Sequence, residues 1–331
     1  MNSTKMSESE GFTNFADDPR ISVATRDFLM VLNSPSPPEL EKLSPEEARG
    51  VLEGAQDSAE VDLSGIDESE KVINTEGFEI ALNIVRPEGA SAKLPVFVFV
   101  HGGGWVLGDY PTHRRMVRDL VVNSGAAAVF VNYTRTPEEV YPRQINEIYA
   151  ATKWVAENGD EINVDGKRLG IVGNSVGGNM TAVTALMAKE KGGPDIRVQI
   201  LLWMVADADF ERESWKEFGE ARFLTAPLMK WMWDMYAPDD KRNDPHVSPY
   251  RADIEQLRGL PPALVISAES DILRDEGEAY ARKLDEAGVE VTNTRYNGMI
   301  HDFGLLNALS GLPQVKSLFE QAGNELKKRL V

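Results

Sequence analysis

His101, Gly102, Gly103, Gly104 and Trp105 stand in a row, and about seventy residues later the chain reads Gly173, Asn174, Ser175, Val176, Gly177. A serine with glycines two positions to either side, preceded by a glycine-rich run, is a residue set suited to nucleophilic attack on an acyl carbon. Gly-x-Ser-x-Gly alone would arise by chance in roughly one chain in eight of such length and composition, whereas His-Gly-Gly-Gly would arise in roughly one in five hundred. The weight therefore rests on the pair, in this order and at this spacing.

Ser175 is the expected nucleophile. It follows an apolar run, 168–173, and precedes a helical pattern from Gly178, so its hydroxyl would sit at a sharp strand-to-helix turn near the positive end of the helix. Gly102 and Gly103 lie just past another apolar run, 95–100, and are the expected oxyanion donors together with the N–H of Val176; each such donor contributes roughly 3–4 kcal/mol in known cases. The chain has four histidines. His101 belongs to the glycine loop and is expected to brace it, His113 falls in a polar helix beside Arg114 and Arg115, and His246 comes too early for the order Ser, acid, His. His301, past the last strand, is the expected general base. Asp271 is the first aspartate after the run 263–268 and is the expected acid, holding the imidazole in the useful tautomer; Asp275 and Glu276 read as helix-start carboxylates.

These groups need a scaffold that converges on one point. Short, near-continuous apolar runs at 95–100, 127–133, 168–173, 198–203 and 263–268, with a further strand at 290–295, suit a sheet buried on both faces. Helical patterns at 112–123, 144–157, 178–191 and 275–287 alternate with them, which predicts an α/β chain with a mainly parallel central sheet flanked by helices. A hairpin over 71–86, turning near Glu76 and Gly77, leads in. Residues 1–64 are expected to carry cap helices: one over 21–33, a Pro-rich turn over 34–38, and a second opening at Ser44 with Pro45 and a capping box to Glu47. A helical insert over 206–248, rich in large apolar side chains, is the other expected part of a helical cap. Residues 65–205 and 249–331 would form the catalytic body.

Composition narrows the function classes. The chain of 331 residues has no cysteine, which excludes disulfides, a thiol nucleophile and a cysteine-ligated zinc. A net charge of −18 disfavours nucleic acid and anionic lipid as partners. No apolar run approaches the roughly 20 residues needed to cross a bilayer, so no membrane association is expected. Residues 1–12 are polar and lack a cationic stretch followed by an apolar run, which reads as cytoplasmic. The last strand, if an edge, could pair with a second copy to give a homodimer.

The motifs His101–Trp105, Gly173–Gly178, Asn132–Glu138, Asp271–Gly277 and Ile300–Gly304 together resemble the hormone-sensitive-lipase-like family of bacterial carboxylesterases, over roughly residues 70–310. The resemblance implies an α/β-hydrolase fold and cofactor-free hydrolysis of short-chain acyl esters. It also implies Ser175, Asp271 and His301 as triad and Gly102, Gly103 and Val176 as oxyanion hole. The chain departs from the family pattern at Asn174, usually acidic or Thr, at Val176, usually Ala, and in the segment Tyr133, Thr134, Arg135, Thr136, Pro137, Glu138. The expected activity is that of a serine carboxylesterase acting through an acyl-enzyme, on acyl chains shorter than about eight carbons, with a small ester as its partner. An amidase or peptidase with the same triad, or a non-catalytic binding protein on the same fold, are the alternatives.

Overall fold

The structure is a computed structural model that describes residues 14–34 and 38–330. Most of the expected Pro-rich turn, at 35–37, and the polar stretch 1–12 lie outside the described residues. Two helices lead, α1 (Val23–Leu32) and α2 (Pro45–Asp57), followed by the hairpin β1 (Ile66–Thr75) and β2 (Phe78–Pro87). The alternating part comprises β3 (Leu94–Val100), α3 (Tyr110–Ser124), β4 (Ala127–Asn132), α4 (Arg143–Asn158), β5 (Val164–Asn174), α5 (Val176–Lys191) and β6 (Val198–Leu202). After it come α6 (Glu213–Phe218) and α7 (Ala226–Tyr236) in the insert, then α8 (Ile254–Leu257), β7 (Ala263–Ser270), α9 (Arg274–Glu286), β8 (Val291–Ile300) and α10 (Pro313–Leu330).

The eight strands form one sheet in the order β1-β2-β4-β3-β5-β6-β7-β8. β1 and β2 pair antiparallel, β2 joins β4 antiparallel, and every later pairing is parallel. The hairpin closes through a two-residue turn in which Glu76 and Gly77 have φ of 50° and 85°, the left-handed pair that matches strand twist. Both faces of the sheet are covered, which explains the unbroken apolar runs. In β3, Val96, Val98 and Val100 join the apolar cluster that includes α4 and α5, while Phe97 and Phe99 join the cluster that includes α3 and α10. Each such side chain removed from water contributes roughly 1.5–3 kcal/mol.

Several expected boundaries shift. α5 starts at Val176, directly after Ser175, and β8 continues past Arg295 to Ile300, its parallel pairing with β7 shifting register between Tyr296 and Ile300. α10 has no counterpart among the expected helices. The capping box of α2 forms: the Glu47 N–H donates to Ser44 Oγ, and the Ser44 N–H donates back to the Glu47 carboxylate.

α10 matters to the loop carrying His301. It lies across α3, and α3 in turn supplies the buried Arg115, whose guanidinium donates to the carbonyls of Gly304 and Leu305 and to Asn307 Oδ1. The two helices approach so closely that a Cβ on Gly323 would lie 2.5 Å from Asn123 Cβ. Gly323→Ala would gain roughly 1 kcal/mol in an open helix. Here it is expected to cost about 1–3 kcal/mol by overpacking, read as a lower midpoint of thermal or urea unfolding.

Candidate active site

The expected site residues stand at the carboxyl ends of parallel strands, where open α/β sheets gather ligands. The His101–Trp105 run follows β3, Ser175 follows β5, Asp271 follows β7 and His301 follows β8. Ser175 occupies an energetically sparse backbone region, φ 54° and ψ −123°, a conformation costing of order 1–3 kcal/mol. Neighbouring strands and loops hold it there: its N–H donates to Leu202 O at 2.9 Å, and its carbonyl accepts from Val205 at 3.1 Å. The flanking glycines allow the close approach. A Cβ on Gly173 would come within 2.3 Å of Gly177 O, and one on Gly177 within 2.0 Å of Val100 O.

The structure brings Ser175, His301 and Asp271 together, each nearly inaccessible to solvent. His301 Nε2 is 3.0 Å from Ser175 Oγ, and His301 Nδ1 is 2.8 Å from Asp271 Oδ2. Asp271 Oδ1 accepts the Leu273 N–H at 2.9 Å, which fixes the carboxylate. Burial alone would push the imidazole down, but the carboxylates of Asp271 and Asp302 outweigh it, and His301 has a pKa above its ordinary value. Glu276 stands in the first turn of α9, as expected, and is also fully buried: it accepts N–H groups of Ala206 and Trp215, and burial pushes it up to about 8.

The oxyanion expectation needs one correction. The Gly102 N–H donates to Asn174 Oδ1 at 3.0 Å and is therefore committed inside the fold. Gly103 and Gly104 line the cavity in front of Ser175 and Gly102 does not; among the described residues no hydrogen bond takes up the N–H of either. The N–H groups left uncommitted toward the cavity are thus those of Gly103 and Gly104, one residue further along the loop than spacing suggested, because the first glycine ties the loop to the residue before Ser175. Val176 is the first residue of α5, two positions before the expected start of the helix.

The loop has a rigid, uncharged support. The His101 ring stacks on Tyr133 at 4.1 Å and on Phe130 at 5.3 Å, and its Nδ1 lies 2.8 Å from Gly102 O. Burial, with His113 beside it, holds His101 well below the ordinary imidazole value, so it is neutral. His113, expected on a polar helix, is buried and pulled down to about 4, chiefly by burial. The divergent segment 133–138 supports the site through other contacts: Thr136 N–H donates to Trp105 O, and Arg135 donates to Gly108 O. Glu138 forms a two-pronged pair with Arg49 of α2. His246 stands apart, paired with Glu190.

A cavity of about 370 Å³ opens onto Ser175 and His301. Its walls come from α1 (Leu32), α2 (Leu52, Ala55), the segment 38–41, and the insert, where Leu228, Met229 and Met232 of α7 face Gly104 and Leu107. Asp302 also lines it, and sequence reasoning passed over that residue. Its signal was adjacency: a second carboxylate directly after the expected base. Among the described residues no cluster of side chains is suited to a metal ion, and no helix is long and apolar enough to cross a membrane.

Known proteins share this arrangement. The alpha/beta-hydrolase-fold family profile matches residues 97–305. Carboxylesterase NlhH of Mycobacterium tuberculosis is 35% identical over 240 residues, 71% of this chain and 74% of that one. An ethyl acetate hydrolase of Pseudomonas putida is 31% identical over 69% of this chain and 72% of its own. Among solved structures, a thermostable esterase from Pseudomonas putida ECU1011 is 59% identical, superimposes with a TM-score of 0.94, and is matched over 95% of this chain and 99% of its own. A strand-borne serine elbow, a glycine loop, a histidine after the last strand and these matches converge: the chain belongs to the alpha/beta-hydrolase family, in its hormone-sensitive-lipase-like branch.

Proposed function

We propose that this chain is a serine carboxylesterase that hydrolyses short-chain acyl esters through an acyl-enzyme. The observation that carries the reading is the unbroken chain Ser175 Oγ, His301 Nε2, His301 Nδ1, Asp271 Oδ2, at 3.0 and 2.8 Å, facing a partly enclosed apolar cavity. Ser175 Oγ attacks the ester carbonyl while His301 takes its proton, and Asp271 stabilises the imidazolium without itself taking the proton. The carbonyl oxygen, now an oxyanion, receives the N–H groups of Gly103, Gly104 and Val176. Collapse expels the alcohol with the proton from His301; water, deprotonated by His301, then releases the acid. No step requires a metal or an organic cofactor.

The cap in this reading is the N-terminal segment to residue 64 plus the insert 206–248, over a catalytic body of 65–205 and 249–331. The side chains that both segments contribute to the cavity walls support that division. The cavity lies near the lower end of the roughly 300–1,000 Å³ of ligand sites, which supports short acyl chains. Ethyl acetate, the substrate in the name of one relative, is of this class. A cytoplasmic setting and a homodimer are also part of the reading. The dimer is supported by β8, which pairs with β7 and otherwise makes one isolated bridge, Ile21 to Gly298.

Three outcomes follow. A fluorophosphonate is expected to add once, on Ser175, and Ser175→Ala is expected to abolish labelling and lower kcat on nitrophenyl butyrate by about 10⁴-fold or more; a variant that kept its turnover would remove the serine from the reaction. Because only neutral His301 can accept the proton and its pKa is raised, the acid limb of kcat/KM is expected above the ordinary imidazole value of about 6.5, as a pH-rate profile reads directly. In a chain-length series, kcat/KM is expected to peak between acetate and butyrate esters and to fall beyond about eight carbons; a peak at long chains would show that the cap opens wider than the cavity described.

A further inference from the structure

His301 faces a second carboxylate, and that carboxylate is held more firmly than its position in a loop would require. Asp302 has φ 57° and is buried. Its Oδ1 accepts two bonds, from Asn174 Nδ2 at 3.0 Å and from Trp203 Nε1 at 2.6 Å. Its Oδ2 takes part in neither and lies 3.6 Å from His301 Nε2, the same nitrogen that faces Ser175 Oγ. Asn174 uses its other end on the Gly102 N–H. One amide therefore joins the oxyanion loop, the residue before the nucleophile and the residue after the base. An amide serves both contacts at once, since Gly102 presents a donor and Asp302 an acceptor; a carboxylate at position 174 would confront that of Asp302.

We propose that Asp302, held by Asn174 and Trp203, is a positioning residue for His301: its free oxygen stabilises the imidazolium at Nε2 when the proton arrives from Ser175. The inference rests on the triad reading above. The geometry gives His301 a carboxylate on each side, Asp271 at Nδ1 and Asp302 near Nε2. In a buried site an opposite charge within about 4–6 Å favours the charged imidazole. The other ionisable groups around the pair are few. Glu276 of α9 lies farther off and acts in the same direction on His301, neutral His113 of α3 faces Asp302, and Glu39, Glu41 and Glu220 line the outer cavity. Among the residues lining the cavity there is no lysine or arginine to offset Asp302.

Asp302→Asn separates charge from architecture. The asparagine Oδ1 can keep both bonds, from Asn174 and Trp203, while the atom facing Nε2 loses its charge. The acid limb of kcat/KM is expected to move to lower pH by about one unit or more, and the pH dependence of fluorophosphonate labelling at Ser175 is expected to move with it. Labelling keeps the profile readable should turnover become slow. A purely structural role would lower the amplitude and leave the limb in place, which would overturn the proposal. Loss of the folded circular-dichroism spectrum in this near-isosteric variant would overturn it equally. If the parent enzyme itself is not labelled at Ser175, the esterase reading fails and this inference falls with it; labelling of the parent with an unmoved limb in the variant sinks the inference alone.

Discussion

The backbone of Ser175 is the constraint on which the rest of the site depends. A residue at φ 54° and ψ −123° persists only where its surroundings leave no alternative. Here both its N–H and its carbonyl are taken by the segment at the end of β6, while Gly177 rests against the carbonyl of Val100 at the end of β3. The elbow is thus clamped between the two strands that flank β5. Relaxing it would break bonds in both neighbours, so the strain is carried by the whole centre of the sheet. This clamp also sets the distance between the first turn of α5 and the glycine loop, where the positive ends of N–H groups face one point.

Around that point the fold controls charge by burial. His101, at the head of the glycine loop, and His113 beside it are pushed neutral and serve as packing groups, His101 stacked on Tyr133 and Phe130 and His113 tilted against Phe130. The third, His301, is surrounded by carboxylates and shifts the other way. Identical side chains some residues apart thus take opposite roles, and the difference is which groups share their low-dielectric surroundings.

Much of this was legible in the sequence, for physical reasons that also explain the rest. Ser175 and Asp271 could be placed because each closely follows a strand that registers as an apolar run, and a parallel sheet brings such ends together; His301 could be placed because only four histidines exist and the other three fall in the wrong segments. The glycine loop could be found but not resolved. Gly102, Gly103 and Gly104 are chemically identical in sequence, and only the bond from Gly102 to Asn174 reveals which N–H groups are spoken for. Strand order, with β4 between β2 and β3, has no local signal at all. β8 was cut short at Arg295, whereas its pairing with β7 resumes at Ile300 after an irregularity around Asn297 and Gly298 that no local pattern announces. α10 carried its signal openly, with Val315, Leu318, Phe319, Ala322 and Leu326 on one buried face. Asp302 was missed although it directly follows the expected base, because adjacency in sequence does not say whether a carboxylate turns toward the imidazole or toward solvent.

The N-terminal segment and the insert are tied to the rest of the chain partly through buried charges. The N-terminal segment shares an apolar cluster with the insert, through Ala48, Leu52, Leu228, Met229 and Met232, and meets it through charges as well. Asp18, fully buried, pairs with Arg20 and with the equally buried Arg222, and Arg20 reaches Glu217. Arg49 of α2 meets Glu138 and the carbonyls of Val106 and Thr136. Buried ion pairs contribute little net stability against well-packed apolar groups, yet breaking one partner away is costly. They therefore act less as glue than as fixed bearings: apolar contacts alone would tolerate sliding of α2 and α7 over the cavity, whereas a bonded guanidinium tolerates little. The outcome is a cavity whose walls on two sides belong to segments far apart in sequence, held in register by arginines that never touch the reacting atoms.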